Sequence, residues 1–333
     1  MTPAESRAGV DVNQEEAVHR AVHVGISSCL LGSAVRFDGG HKRDPFLTGT
    51  FGTLVEWVPV CPEVECGLGT PRESMRLVRV DGDVRLLTVR TAVDLTDRVE
   101  TFARRRVVQL ASEGLCGYVV KKDSPSCGLE RVKVYDAQGM PTRSGRGLFA
   151  SLLVERFPSL PVEEEGRLSD PRLRENFVER VFAYSRLRGL FGGRWNAGDV
   201  VRFHTAHKLA LLAHSPQAYQ RLGRLVAQVR DVPAKAFEPL YTQAFMAALS
   251  VIATPGRHAN VLQHIAGYFD DRLDRESKAE LLASIEDYRH QLVPLIVPMT
   301  MIRHYVRIHA VPYLAAQAYM EPHPRKLSLR NLI

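Results

Sequence analysis

The sequence predicts an open, mostly parallel α/β sheet domain followed by an all-α helical bundle. Between residues 22 and 156, short runs rich in β-branched residues alternate with helix-patterned stretches, the arrangement that builds such a sheet. Beyond about residue 166 the β signal stops, and apolar residues recur only at helical spacing. A length of 333 residues with 45% hydrophobic residues is also enough for two buried cores.

Taken in order, residues 1–20 are polar with both charge signs and read as a flexible N-terminal segment. They lack the apolar run behind a basic start that marks a signal peptide, and no stretch approaches the roughly 18 apolar residues of a membrane span. A soluble cytoplasmic protein is therefore expected, with its five cysteines used as thiols or ligands and not as disulfides. Residues 22–28 read as the first strand and 54–60 as a later one. A helix is expected over 94–113, with Asp94 and Asp97 near its start, Val99, Phe102, Val107 and Leu110 on one face, and Gly114 ending it. Residues 117–122 form a third strand, 132–135 a short fourth, and 147–156 a helix. Prolines and a short acidic run over 158–171 read as a linker, which places a domain over 21–166 and another over 167–333. The second opens with Asp170 capping a helix whose first residue is Pro171. Further helical stripes include Tyr219, Leu222 and Val226, then Phe237, Tyr241 and Phe245, then Leu281, Leu282, Ile285, Tyr288 and Leu292.

Three cysteines share a position, each following a predicted strand: Cys29 in Cys29-Leu-Leu-Gly32, Cys61 in Pro59-Val-Cys-Pro-Glu63, and Cys127 in Ser124-Pro-Ser-Cys-Gly128. Ligands of open α/β sheets bind outside the carboxyl ends of the strands, so the three thiols are candidates to converge on a metal. Thiolates suit zinc or iron-sulfur clusters. Structural zinc favours four ligands in paired Cys hooks, which are missing here, whereas a [4Fe-4S] cluster on three cysteines leaves one iron open to a substrate atom. The competing reading is three buried apolar thiols, which is the reading kept for Cys66 and Cys116. Glu63, two residues past Cys61, is placed to move a proton, and Ser124 and Ser126 to position substrate or relay one; all three are also ordinary loop residues.

Together Ser28-Cys-Leu-Leu-Gly32, Arg36-Phe-Asp-Gly-Gly40, Val60-Cys-Pro-Glu63, Pro71-Arg72, Lys122-Asp-Ser-Pro-Ser-Cys-Gly128 and Gly145-Arg-Gly147 resemble the thiouracil desulfidase (TudS-like) family over residues 22 to about 160. The resemblance implies a Rossmann-like fold and a [4Fe-4S] cluster on Cys29, Cys61 and Cys127 whose fourth iron takes a thiocarbonyl sulfur. It implies further that Glu63 and a serine of the Ser124-Pro-Ser126 turn assist conversion of C=S to C=O without net electron transfer.

Residues 170–320 resemble the YbgA-like helical domain through Glu175-Asn-Phe-Val-Glu-Arg-Val-Phe-Ala-Tyr184 and Phe203-His-Thr-Ala-His-Lys-Leu-Ala-Leu-Leu-Ala-His-Ser215. The combination resembles the RudS-type enzymes and implies 4-thiouridine in tRNA as substrate, with no membrane or DNA partner. Charge hints at the same partner, or marks only a solvated surface with a slight Arg excess: residues 1–150 carry 20 Lys+Arg against 19 Asp+Glu, and residues 151–333 carry 24 against 18. Arg180, Arg186, Arg188, Arg194 and Lys208, with Arg303 and Arg307, are the candidate phosphate contacts, interleaved with Tyr184, Trp195 and Tyr305 as stacking platforms. For His204, His207 and His214, no Cys, Asp or Glu close by in the sequence is expected to complete a metal set. The rival readings are a desulfidase of free thiouracil or another small thiolated base, its helical domain serving stability or dimerisation, and a non-catalytic metal-containing RNA-binding protein.

Overall fold

The computed structural model describes residues 21–331; the N-terminal segment 1–20 lies outside the described residues. Eight strands form the first part: β1 (His23–Ser27), β2 (Glu56–Val60), β3 (Met75–Val80), β4 (Asp83–Thr88), β5 (Gly117–Val120), β6 (Val132–Tyr135), β7 (Pro141–Gly145) and β8 (Val162–Glu164). Helix α1 (Thr96–Leu110) precedes β5, and α2 (Leu148–Arg156) precedes β8. One sheet runs β2-β1-β5-β8 and is parallel throughout. The other runs β4-β3-β6-β7, with β3 and β6 parallel between two antiparallel pairs. The expected single sheet is therefore two sheets. The second contains β3, β4 and β7, which the sequence reading passed over.

Strands β1 and β5 are central because both of their faces are apolar: Val24, Ile26, Tyr118, Val119 and Val120 are fully buried. That suits a parallel sheet covered on both sides. Gly25 makes the pairing possible, since a Cβ there would lie 2.1 Å from the Tyr118 ring on the neighbouring strand. Helices α1 and α2 cover one face through Ala103, Val107, Leu110, Phe149 and Leu153. Helix α1 has Leu95 at its N-cap with no side-chain cap; Asp94, expected to cap it, lies one residue earlier, its Oδ1 accepting from the Thr96 amide at 2.8 Å.

The other face is covered by a helix from the second part. Helix α3 (Pro171–Phe191) is capped by Asp170, which accepts from the Arg172 and Leu173 amides at 2.8 and 3.1 Å. Its Phe177, Val178 and Val181 pack with Val24, Ile26 and Val119, and Leu327 and Leu329 near the C-terminus join the same core. Gly117 permits this approach: a Cβ there would sit 2.6 Å from Val181 Cγ2. The expected boundary near residue 166 thus falls just before a helix that serves both parts, and the expected linker contains β8. Helices α4 (Ala197–His214), α5 (Pro216–Ala227), α6 (Ala234–Ser250), α7 (Pro255–Ala266), α8 (Arg275–Arg289) and α9 (Ile296–Ile308) complete the helical part. Side-chain caps start four of them, at Asn196, Ser215, Thr254 and Asp274. Of the predicted stripes, Leu282 and Leu292 face solvent.

Helices α3 and α4 are joined by a buried ion pair. His214 Nδ1 lies 2.6 Å from the Val251 carbonyl, and its Nε2 lies 3.4 Å from Glu179 Oε2. Both neighbours only accept, so both ring nitrogens carry protons. Burial alone would lower the His214 pKa, but the Glu179 charge reverses this and raises it. Burial alone would likewise raise Glu179; His214 holds it well below the carboxylate range. Glu179 stabilises above its unfolded pKa, and that contribution is lost as pH falls through its depressed folded value. His214 stabilises below its unfolded pKa, and that contribution is lost as pH rises through its raised folded value. The pair therefore contributes most between about pH 4.5 and 6.5. His214→Leu is expected to destabilise by about 3 kcal/mol by stranding Glu179, and adding Glu179→Leu should recover much of it. Calorimetric melting at about pH 6 checks this; a single variant within about 0.5 kcal/mol of wild type contradicts it.

Candidate active site

Strands β2, β1 and β5 are adjacent and parallel, so their carboxyl ends emerge at one edge, and the loops that leave them carry Cys61, Cys29 and Cys127. Cys29 sits in a single 3-10 turn, Ser28–Leu31, which Gly32 closes at φ 101 with its N–H donating to the Cys29 carbonyl at 3.3 Å. A side chain at Gly32 would be strained by that φ. Cys61 immediately precedes the helical turn Pro62–Glu65, and its N–H donates to Glu65 Oε1 at 2.7 Å. Cys127 lies in a turn organised by Ser124, whose Oγ accepts from the Ser126 and Cys127 amides at 3.2 and 3.1 Å. Gly128 has no room for a side chain, with Val132 Cγ2 at 2.5 Å and the Ser124 carbonyl at 2.8 Å from its Cβ position.

The loops enclose a cavity of about 350 Å³ lined by Cys29, Cys61, Cys127, Glu63 and Ser124, with Ser27, Phe37, Lys42, Arg72, Lys121 and Lys122. Burial pushes all three thiols above the ordinary value, Cys29 to about 11 and Cys127 well up, with a weaker rise at Cys61. Cys61 also raises Cys29, and both raise Cys127, whereas Lys121 lowers Cys29 and the Ser27 hydroxyl lowers Cys127. Among the described residues, no group of three or more His, Cys, Asp or Glu side chains is arranged to hold a single metal ion.

Glu63 and Arg72 form an ion pair on the cavity wall. Arg72 Nε donates to Glu63 Oε2 at 3.0 Å, and Nη2 donates to the same oxygen and to the Val35 carbonyl at 3.0 Å. Nη1 donates to the Gly69 carbonyl at 2.8 Å. This fork fixes the Glu63 carboxylate through Oε2, and no hydrogen bond engages Oε1 among the described residues.

The acidic run expected to be a linker braces the Cys127 loop from behind. Glu164 Oε1 accepts from the Leu129 and Glu130 amides at 2.8 and 3.2 Å. Glu165 accepts from Lys121 Nζ at 2.5 Å and from the Lys122 amide at 2.6 Å, which steadies Lys121 at the cavity. Arg72, Ser27 and this acidic brace were missed as site residues. Arg72 stood in the quoted Pro71-Arg72 motif without a role, and the other two carried no signal beyond proximity to a cysteine loop.

The two serines separate. Ser124 lines the cavity, whereas Ser126 is fully buried outside it, with an Oγ that finds no partner. Cys66 donates to the Glu63 carbonyl at 3.2 Å, and Cys116 is buried with its sulfur near the Gly114 carbonyl; neither lines the cavity.

The candidate phosphate contacts are scattered. Arg188 donates to the Gly114 and Leu115 carbonyls, and Arg186 to His207 Nε2 and the Pro322 carbonyl. Arg180 is half-buried, its Nε unpartnered, near Glu163 and Arg167. Lys208 is half-buried on α4, and Arg194 is exposed in the link from α3 to α4. The histidines have core partners: His204 pairs with the Tyr241 hydroxyl, His207 with the Phe203 carbonyl, and His214 with Glu179. Among the described residues no helix is long and apolar enough to cross a membrane.

Residues 24–165 match the family model described as 2-thiouracil desulfurase, and residues 208–324 match a protein family of unknown function, DUF1722. The chain is 33% identical over 161 residues to the uncharacterized protein YbgA of Escherichia coli (strain K12), covering 48% of this chain and 95% of that one. It is 26% identical over 109 residues to the uncharacterized protein YbbK of Bacillus subtilis (strain 168), covering 31% and 71%. A solved structure, the [4Fe-4S]-dependent thiouracil desulfidase TudS, is 28% identical over 44% of this chain and 93% of its own, with a TM-score of 0.37.

Arg72→Met leaves Glu63 without its counter-charge on a largely buried wall and is expected to destabilise the chain by about 2 kcal/mol. Arg72→Lys, which keeps the charge but loses the fork, should cost less. Thermal unfolding checks the order; equal melting of Arg72→Met and wild type contradicts it.

Proposed function

We propose that this chain, which belongs to the YbgA family and carries a 2-thiouracil desulfurase family domain at residues 24–165, removes sulfur from a thiolated pyrimidine with a [4Fe-4S] cluster on Cys29, Cys61 and Cys127. The observation that carries this reading is the cavity into which three separate loops bring three thiols together with the Glu63 carboxylate. A three-thiol donor set with no fourth cysteine at the cavity fits a cluster with one open iron better than a structural zinc site. Three thiols that line one cavity are the kind of donor set such a cluster takes. When bound, such a cluster supplies a Lewis acid for a soft thiocarbonyl sulfur.

The chain's own residues do the remainder. Glu63, anchored through one oxygen by Arg72, has the other oxygen to take a proton from water as it adds to the ring carbon. Ser124 already accepts two amide protons, so its own hydroxyl proton is available to the substrate. Water supplies the oxygen of the new C=O, sulfur leaves as hydrosulfide, and no electrons are transferred overall.

The finer reading is that the pyrimidine is 4-thiouridine in tRNA, met in the cytoplasm and held by the helical part, with residues 21–166 acting as the desulfidase domain. Lys42, Lys121 and Lys122 at the cavity support a phosphorylated substrate. The family description favours a second reading, a free thiolated base. Anaerobically reconstituted enzyme given thiolated tRNA and free thiouracil separately distinguishes them by the oxo product formed. Only the first is expected to turn over efficiently, and turnover of thiouracil alone selects the second.

Cys29→Ala, Cys61→Ala and Cys127→Ala are each expected to lose most cluster iron, while Cys66→Ala and Cys116→Ala keep it. Iron analysis after reconstitution checks this, and full iron in any of the first three removes that residue from the ligand set. Glu63→Gln should keep the cluster and lose about 100-fold in rate; a rate within a few-fold of wild type excludes Glu63 as the base.

A further inference from the structure

Helix α3 presents Glu175, Asn176 and Glu179 to a cavity of about 240 Å³ bounded by α4, α7, α8 and the segment at Leu329 and Arg330. These three residues belong to the Glu175-Asn-Phe-Val-Glu179 run, to which desulfuration gives no role. Glu179 is four residues on from Glu175 and three from Asn176, so the three side chains meet on one helix face. Each has an oxygen to spare. Glu175 Oε1 accepts from Arg330 Nε at 3.2 Å, Glu179 Oε2 faces His214, and Asn176 is tied through its Nδ2, which donates to the Leu249 carbonyl at 2.8 Å. Among the described residues no donor reaches Glu175 Oε2, Glu179 Oε1 or Asn176 Oδ1.

Arg330 supplies the complement. It is only 4% exposed, stands 4.9 Å over the Tyr319 ring and donates from Nη1 to the Tyr319 carbonyl at 2.8 Å. Its buried Nη2 has no partner among the described residues. Leaving the N–H groups of a buried guanidinium unmatched is costly, which makes this cavity a place for an acceptor.

The charges of the lining decide what kind of molecule fits. Glu175 and Glu179 are balanced by Arg330 and protonated His214, and the exposed Asp170 and Arg172 balance as well. Burial holds His258 neutral, with its pKa down at about 3. A net anion would meet two buried carboxylates, and a net cation would meet Arg330 and His214, so the lining suits a molecule that carries both signs. The three spare oxygens on α3 match the three N–H bonds of an ammonium group. Arg330 Nη2, with the Tyr288 hydroxyl in the same lining, matches a carboxylate. Ile252, Val293 and Leu295 give the remainder an apolar surface. The volume is below the roughly 300–1,000 Å³ of pockets for drug-sized ligands, which limits the occupant to a small metabolite.

We propose that this cavity binds a free α-amino acid with an apolar side chain, its ammonium on Glu175, Asn176 and Glu179 and its carboxylate on Arg330. The site is separate from the cysteine cavity and does not depend on the desulfidase reading.

The test titrates the full-length chain, without a cluster, with L-leucine in a calorimeter at about pH 7, where the amino acid is a zwitterion. Binding with a Kd of about 1 mM or tighter is expected. The two half-molecules, 3-methylbutylamine without the carboxylate and 4-methylpentanoate without the amine, should each bind at least about tenfold more weakly. Arg330→Met should remove binding up to about 10 mM. Because Arg330 is buried, Glu175→Gln at a half-buried position is the second variant; its melting shows that it folds, and it should weaken binding at least about tenfold. Glu63→Gln, in the cysteine cavity, should change leucine affinity less than about twofold. No heat with leucine up to about 10 mM overturns the proposal. So does either half-molecule binding as tightly as leucine, or an equal loss in Glu63→Gln and Glu175→Gln. Uracil that displaces leucine from the wild-type chain overturns the amino-acid assignment.

Discussion

The parallel register of β2, β1 and β5 is the constraint from which the candidate site follows. Parallel neighbours must all end at the same edge, so the loops that leave them are brought together whatever their separation in sequence. Cys29, Cys61 and Cys127 are far apart in the chain, yet their loops open into one cavity because the strands before them share that edge. The register itself depends on Gly25, which lets the Tyr118 ring lie against β1, and on apolar residues on both faces of β1 and β5. A larger residue at Gly25 would push β1 from β5 and with it one cysteine loop from another.

Around this frame, charged groups do the local fixing. Arg72 reaches Glu63, the Val35 carbonyl and the Gly69 carbonyl, so one guanidinium ties the β2–β3 connection to the loop after β1 at the cavity. Glu164 and Glu165 tie β8 to the Cys127 loop and to Lys121. These groups are satisfied by hydrogen bonds, which is what allows carboxylates and guanidinium groups to be buried beside a cavity of apolar thiols. Helix α3 carries the same logic to the second part, with one face in the sheet core and Glu179 paired to His214 on α4.

Much of this was legible in the sequence where a residue type has one dominant use. Asp170 before Pro171 marked a helix start, and the strand-end positions of the three cysteines and Glu63 foretold that they would meet at one cavity. Strands β3 and β4 were missed because Arg76, Arg79 and Arg85 interrupt their apolar alternation; the Asp81-Gly82 pair between them, both at positive φ, was the turn signal to use. Strand β8 was read as linker because consecutive glutamates look solvated, and only the structure supplies the amides that hold them. Arg186 shows the converse: an arginine in a sequence looks exposed, and here its guanidinium is turned to a neutral histidine and a carbonyl.

The central claim is that three cysteines at one sheet edge leave one iron for substrate sulfur. Mössbauer spectroscopy of chain reconstituted with iron-57, before and after addition of a thiolated uridine, tests it most directly. About one iron in four should change its signal on addition of substrate while the others stay as they were. Signals that remain unchanged while the oxo product still forms, or a colourless protein that retains zinc and not iron, would contradict it.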